Sequence, residues 1–271
     1  MLTFLEQQSP ILLAFFATLF TYSITLLGAA IVFFFKKVKK NIMDAMLGIA
    51  AGIMIAASFF SLIEPALKMA ESLKMIPWII VTIGFISGGL LLFVGDKIFT
   101  KLEKKIAKNK DNNKEGTSLK RCIMLILSIT LHNIPEGLAV GVAFGGIAYG
   151  IEGATLSSAI MIALGIGIQN FPEGTAVSVP LRREGLSRKK AFFFGQLSGL
   201  VEPISGVLGA LLVLKVRTLL PFLLSFAAGA MIYVVVEELI PESQTNKRKE
   251  LMALFTLIGF SIMMILDVSL G

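Results

Sequence analysis

The 271 residues are 55% hydrophobic and 16% charged, with a mean hydropathy of +0.83. An ordinary soluble domain has no way to bury so much apolar surface, which leaves an integral membrane protein. The net charge of +7 would suggest nucleic acid as a partner in a soluble chain, but here it is explained by basic residues placed between apolar segments.

The apolar runs are long and continuous, so they predict helices and not the ten-residue alternation of a membrane barrel. At about 20 apolar residues per crossing, eight spans fit: 9–35, 42–67, 77–99, 121–146, 153–180, 189–214, 218–240 and 250–270. The first is too long for a signal-peptide core and shows no small-residue cleavage site, so it reads as a retained helix. The connections alternate in charge. The odd ones carry Lys36-Lys37-Val38-Lys39-Lys40, the run Lys97–Arg121, Arg182–Lys190 and Lys247-Arg248-Lys249, together 21 of the 25 basic residues. The even ones hold only Lys68, Lys74, Lys215 and Arg217. The positive-inside tendency then puts the odd connections in the cytoplasm and both termini outside a plasma or inner cell membrane. Residues 1–271 form one transmembrane domain, with 99–119 expected to be a flexible cytoplasmic loop. A single cysteine, Cys122, rules out an internal disulfide framework and reads as a packing residue at a helix start.

Weak internal symmetry is present. Ala50-Ala51-Gly52-Ile53-Met54-Ile55 in span two matches Ala227-Ala228-Gly229-Ala230-Met231-Ile232 in span seven, and Leu27-Gly28-Ala29 matches Leu208-Gly209-Ala210. The expected fold is therefore all-α, with eight transmembrane helices in a 3+2+3 arrangement: inverted three-helix repeats around central helices four and five. The competing explanation is the frequent recurrence of Ala and Gly in packed membrane helices.

The most unusual feature lies in the central pair. His132-Asn133-Ile134-Pro135-Glu136-Gly137 returns as Gln169-Asn170-Phe171-Pro172-Glu173-Gly174. An ionisable group at mid-membrane costs about 2.5–3.5 kcal/mol on insertion scales, so a duplicated polar cluster needs a reason. Counted from the basic ends at ~1.5 Å per residue, His132, Glu136, Gln169, Glu173 and Glu202 all fall ~14–23 Å deep in a ~30 Å apolar layer. His132 and Glu136, like Gln169 and Glu173, are spaced i, i+4 and share a helix face; Asn133 and Asn170 stand i, i+3 from the same glutamates. Pro135 and Pro172 free the carbonyls of Leu131 and Ile168, as suits a polar cavity. Carboxylates side by side in low dielectric demand protons or a cation. Imidazole with carboxylate suits zinc and other first-row divalent metals, and Glu136 and Glu173 are placed to bridge two ions. The plainer alternative is a hydrogen-bonded network that only joins helices. Outside the centre, Glu64 marks a candidate entrance or a solvated helix end, and Glu237 and Glu238 a candidate exit or interfacial charges.

His132–Gly141 and Gln169–Gly174 resemble the fourth- and fifth-helix signatures of the ZIP family of zinc and iron transporters, in its GufA-like prokaryotic branch. The resemblance implies a binuclear centre. His132, Glu136, Gln169 and Glu173 would form one site; Asn133, Asn170 and Glu202 would form the other, sharing Glu136 and Glu173. Many members carry His in place of Gln169, some carry Asp in place of Asn170, and many have a His-rich third loop that this chain lacks. The expected function is movement of Zn²⁺ (Fe²⁺, Mn²⁺ and Cd²⁺ making similar ligand demands) toward the cytoplasm, with the metal as substrate. The protein is then no enzyme; its partners are divalent metal ions and the lipid bilayer, and a homodimer is compatible with the fold. The alternative is a membrane-embedded metal-dependent hydrolase using Glu136 or Glu173 as base.

Overall fold

The computed structural model describes residues 8–34, 39–108, 130, 133–149, 154–183 and 185–270. Eight long helices are traced among them: α1 (Pro10–Phe34), α2 (Lys40–Ser72), α3 (Pro77–Lys108), α4 (133–146), α5 (Leu156–Arg183), α6 (Arg188–Lys215), α7 (Leu220–Ser243) and α8 (Lys249–Leu270). The described residues contain no strand. Most boundaries fall within a few residues of those expected. α3 runs on to Lys108, so 99–108 of the expected loop is helical and 109–119 lies outside the described residues, as do the expected start of α4 at 121 and Cys122. Glu103, Lys104 and Lys105 are good helix formers, and the segment contains neither Gly nor Pro.

Six of the eight, namely α1, α2, α3, α6, α7 and α8, are long and apolar enough to cross a membrane. On α5, the side chains of Gln169, Asn170, Glu173 and Thr175 dilute the apolar run. A helix that shows little surface to lipid can carry such a load, and Ile166, Asn170 and Val177 of α5 are fully buried. The outermost helices show the reverse. On α3, Ile83, Ile86, Leu90 and Leu91 are exposed, and on α8, Leu254, Leu257 and Ile265, as expected for faces turned to hydrocarbon.

Packing sorts the helices into two groups. α1 lies along α5 and α6, and α4 lies along α6. α2 lies along α8, and α3 along α7. Among the described residues, α2 against α5 and α4 against α7 join the two groups. The motif glycines explain the first group. A Cβ at Gly174 would collide with the Thr25 carbonyl of α1, and one at Gly137 with Ser205 and the Glu202 carbonyl of α6. In the second group, the two matched Ala-Gly segments do matched work: Gly52 of α2 abuts the Thr256 carbonyl of α8, and Gly229 of α7 abuts the Phe85 carbonyl of α3. Shortly after each, the helix widens into a π-turn, Ala57–Ile63 in α2 and Val235–Leu239 in α7. Such turns recur at functional sites because they displace the helical register and re-aim side chains.

Candidate metal centre

α5 passes through Pro172 without a break and presents Gln169 toward α4, Asn170 toward α1 and α6, and Glu173 into a cavity lined also by α2 and α7. Asn133, Glu136, Gln169, Asn170 and Glu202 are at most 1% exposed, and Glu173 is partly buried. His132 lies outside the described residues.

Two carboxylate–amide pairs form the core of the site. Gln169 Nε2 donates to Glu136 Oε1 at 2.6 Å, tying α5 to α4. Asn170 Nδ2 donates to Glu202 Oε1 and Oε2 at 3.0 and 2.9 Å, tying α5 to α6, and to the Thr21 carbonyl of α1 at 3.2 Å. Thr21 and Thr25 complete the surroundings of Glu202 by donating their hydroxyls to its two oxygens. Among the described residues, no three His, Cys, Asp or Glu side chains converge at metal-binding distances. The amides of Gln169 and Asn170 bond the carboxylates of Glu136 and Glu202 and bring further oxygen donors beside them.

Asn133 Oδ1, Glu136 Oε2, Gln169 Oε1 and Asn170 Oδ1 are buried with no hydrogen-bond partner, four of the six such side-chain atoms among the described residues. A buried acceptor left unpaired costs on the order of 1–3 kcal/mol, and every one of these four is an oxygen. A donor-poor, oxygen-rich buried site is what a hard or borderline cation needs.

A cavity of about 620 Å³ leads from this centre to one end of the bundle. Glu136, Gln169 and Glu173 stand at its inner end; Met43, Glu237, Glu238, Glu242 and Thr245 line the way out. Glu237 and Glu238 thus lie on the route from the centre, carried there by the π-turn of α7. The mouth is braced by buried Asp44, which takes Lys40 Nζ at 3.1 Å and Asn246 Nδ2 at 2.7 Å, while its own carbonyl accepts from Ser243 Oγ at 2.8 Å. At the opposite end, Glu64, Lys68, Thr155, Ser158 and Asp267 line a separate vestibule of about 270 Å³. Glu64 is paired there with Lys68 at 2.7 Å, and Ser61 donates to Asp267. Inward of the vestibule the space narrows to about 10 Å³ between Ala143, Ile162 and Leu224.

Several contributors have no obvious motif. Met54, 2% exposed, lines the main cavity beside Glu136 and Gln169 and offers a soft thioether. Among 12 methionines, sequence alone cannot single it out. Thr18, Thr21 and Thr25 were more legible: they stripe one face of an otherwise apolar helix. Asp44 and Asp267 are isolated acids whose roles depend on distant partners, Asn246 and Ser61.

The ZIP zinc transporter family model matches residues 8–123 and 101–267. The chain belongs to this family. It is 37% identical to human zinc transporter ZIP11, over 98% of this chain and all of the relative. Zinc transporter ZIPB of Bordetella bronchiseptica is 36% identical, over 92% of this chain and 79% of the relative. Zinc transporter GufA of Myxococcus xanthus is 33% identical, over 94% of this chain and 98% of the relative. This ZIP chain is a multi-pass, all-α membrane protein, and its duplicated polar motif lies where helices α4 and α5 meet α1 and α6.

Proposed function

We propose that this ZIP protein carries divalent metal, zinc first, across a cell membrane into the cytoplasm through the centre between α4 and α5. The observation that carries the reading is the set of four orphaned buried oxygens on Asn133, Glu136, Gln169 and Asn170, with Glu136 and Gln169 lining a cavity that leaves the bundle on one side. With His132 and Glu173 they make a nitrogen-and-oxygen ligand set suited to zinc, with no thiolate to hold the ion too tightly for release. The relatives named zinc transporters support carriage over hydrolysis. Fe²⁺, Mn²⁺ and Cd²⁺ fit the same donors.

The basic residues give direction. The large cavity opens at the end bearing Lys40, Arg182 and Lys249, the cytoplasmic end by the positive-inside tendency, with both termini outside. The structure is then inward-facing, Glu64 belongs to the outer entrance, and Glu237 and Glu238 to the exit. The inverted three-helix repeat belongs to the same reading. It is supported by the matched contacts of Gly52 and Gly229 and by paired π-turns. Alternating access would come from movement of the α1–α4–α5–α6 group against α2, α3, α7 and α8.

Zinc uptake into proteoliposomes carrying an internal zinc-sensitive dye tests this. Wild-type protein is expected to give saturable uptake that a His132→Ala, Glu136→Ala double variant abolishes. Undiminished uptake in the double variant would overturn the assignment.

A further inference from the structure

A buried hydroxyl on a membrane helix ordinarily donates to a carbonyl about one turn back. Thr18 donates to the Ala14 carbonyl, Ser198 to that of Gly195, Ser205 to that of Val201 and Ser225 to that of Pro221. Ser61 donates to Asp267 instead. Among the buried serines and threonines described, Ser58 of α2 alone has no partner, and it is 0% exposed. An unpaired hydroxyl in such a place weakens the fold. Packing does not ask for it, because alanine fills the two positions before it, Ala56 and Ala57, both buried.

The place of Ser58 on α2 shows what the hydroxyl can serve. Met54 lines the large cavity beside Glu136 and Gln169, while Ser61 and Pro65 line the narrow space inward of the vestibule. Ser58 stands four residues after Met54 and three before Ser61, on the stripe that joins the two spaces. It lies in the first part of the π-turn that opens at Ala57, against which α5 and α7 both pack. The buried side chains around this stretch are largely alkyl: Ala143 of α4, Ile162 and Ile166 of α5, and Leu224 and Met231 of α7 share one apolar core with Met54. An ion that leaves the vestibule sheds water among these groups and needs an oxygen in its place. We propose that Ser58 Oγ is a transfer ligand, which takes the divalent ion between the Ser61–Asp267 end of the vestibule and the centre at Glu136. This rests on the metal-carrying reading above. In the inward-facing form α5 covers Ser58; when the α1–α4–α5–α6 group shifts against α2, the hydroxyl faces the opened path. Its lone pairs are then free for the ion, and no internal hydrogen bond has to break first.

Zinc uptake into proteoliposomes from low external zinc, where the rate follows the entry barrier, tests the proposal. Ser58→Ala is expected to slow this uptake about tenfold, equivalent to about 1.4 kcal/mol on the barrier. Its zinc affinity at the centre, read by competition with a chelating dye, should stay at the wild-type value, and its thermal midpoint in detergent should be equal or higher. Ser58→Cys in a Cys122→Ser background places a soft thiol on the path, so Cd²⁺ should inhibit zinc uptake at a concentration about tenfold lower than in the background protein. Wild-type uptake in Ser58→Ala, or unchanged inhibition by Cd²⁺ in Ser58→Cys, would overturn the proposal and leave metal carriage intact. Slower uptake with a lowered thermal midpoint in Ser58→Ala would make Ser58 a packing residue and overturn it as well. No zinc uptake by the wild-type protein would overturn the carriage reading together with this one.

Discussion

Glu136 and Glu64 are both glutamates on membrane helices, and their surroundings predict opposite sensitivities. Glu136 is buried with one oxygen on Gln169 and the other unpaired. Glu136→Gln removes charge where the cation would sit, and zinc affinity measured by competition with a chelating dye should fall by more than ~100-fold, beyond what a supporting partner is worth. Glu64 shares an exposed ion pair with Lys68. Such pairs are worth about 0–1 kcal/mol, so Glu64→Gln should leave the thermal midpoint in detergent nearly unchanged. A large fall there would mean that the vestibule has a structural role. The sequence exposes Glu136 readily, because a motif repeated at mid-membrane depth has no cheap explanation. It does not expose which oxygens stay free, since that depends on how the amides of Gln169 and Asn170 are shared among helices distant in the chain.

Among the elements, α5 shows what the motif demands of its neighbours. Its glycine meets the α1 backbone directly, so Gly174→Val must push the two helices apart. Overpacking of this kind costs on the order of 1–3 kcal/mol, and the expected result is a lowered thermal midpoint together with loss of zinc binding, because Asn170 and Thr21 separate. Retained binding at normal stability would show that α1 and α5 are not locked. At the other end of the bundle, Asp44→Ala removes the acceptor for Lys40 and Asn246. Hydrogen bonds to a charged group contribute about 1.5–3 kcal/mol, so this variant should lose about 2 kcal/mol in chemical denaturation. The helices themselves were legible, since apolar runs of this length in so hydrophobic a chain fix their number and approximate ends. The end of α3 was not: charged residues in 99–108 read equally as a solvated loop or as a helix projecting from the bilayer, and their helix-forming character decides for the helix.

The whole molecule is asymmetric across its length, with a wide cavity at one end and a narrow constriction before the vestibule at the other. In a Cys122→Ser background, Ala176→Cys on the cavity wall should react with a membrane-impermeant thiol reagent applied from the cytoplasmic side only. Ile162→Cys at the constriction should react from neither side. Labelling of Ala176→Cys from outside would reverse the assigned orientation. The charge alternation in the sequence is what assigns that orientation; the open side was not readable, because it depends on how two helix groups lean against each other.

The central claim is that the repeated motif binds the transported metal with nitrogen and oxygen donors, and zinc-edge X-ray absorption of the loaded protein tests it most directly. The account predicts a shell of oxygen and nitrogen neighbours near ~2.0–2.1 Å, with outer scattering from a single imidazole, His132 being the only histidine in the chain, and loss of that spectrum in Glu136→Gln. A spectrum of hydrated zinc, or one unchanged by Glu136→Gln, would contradict it.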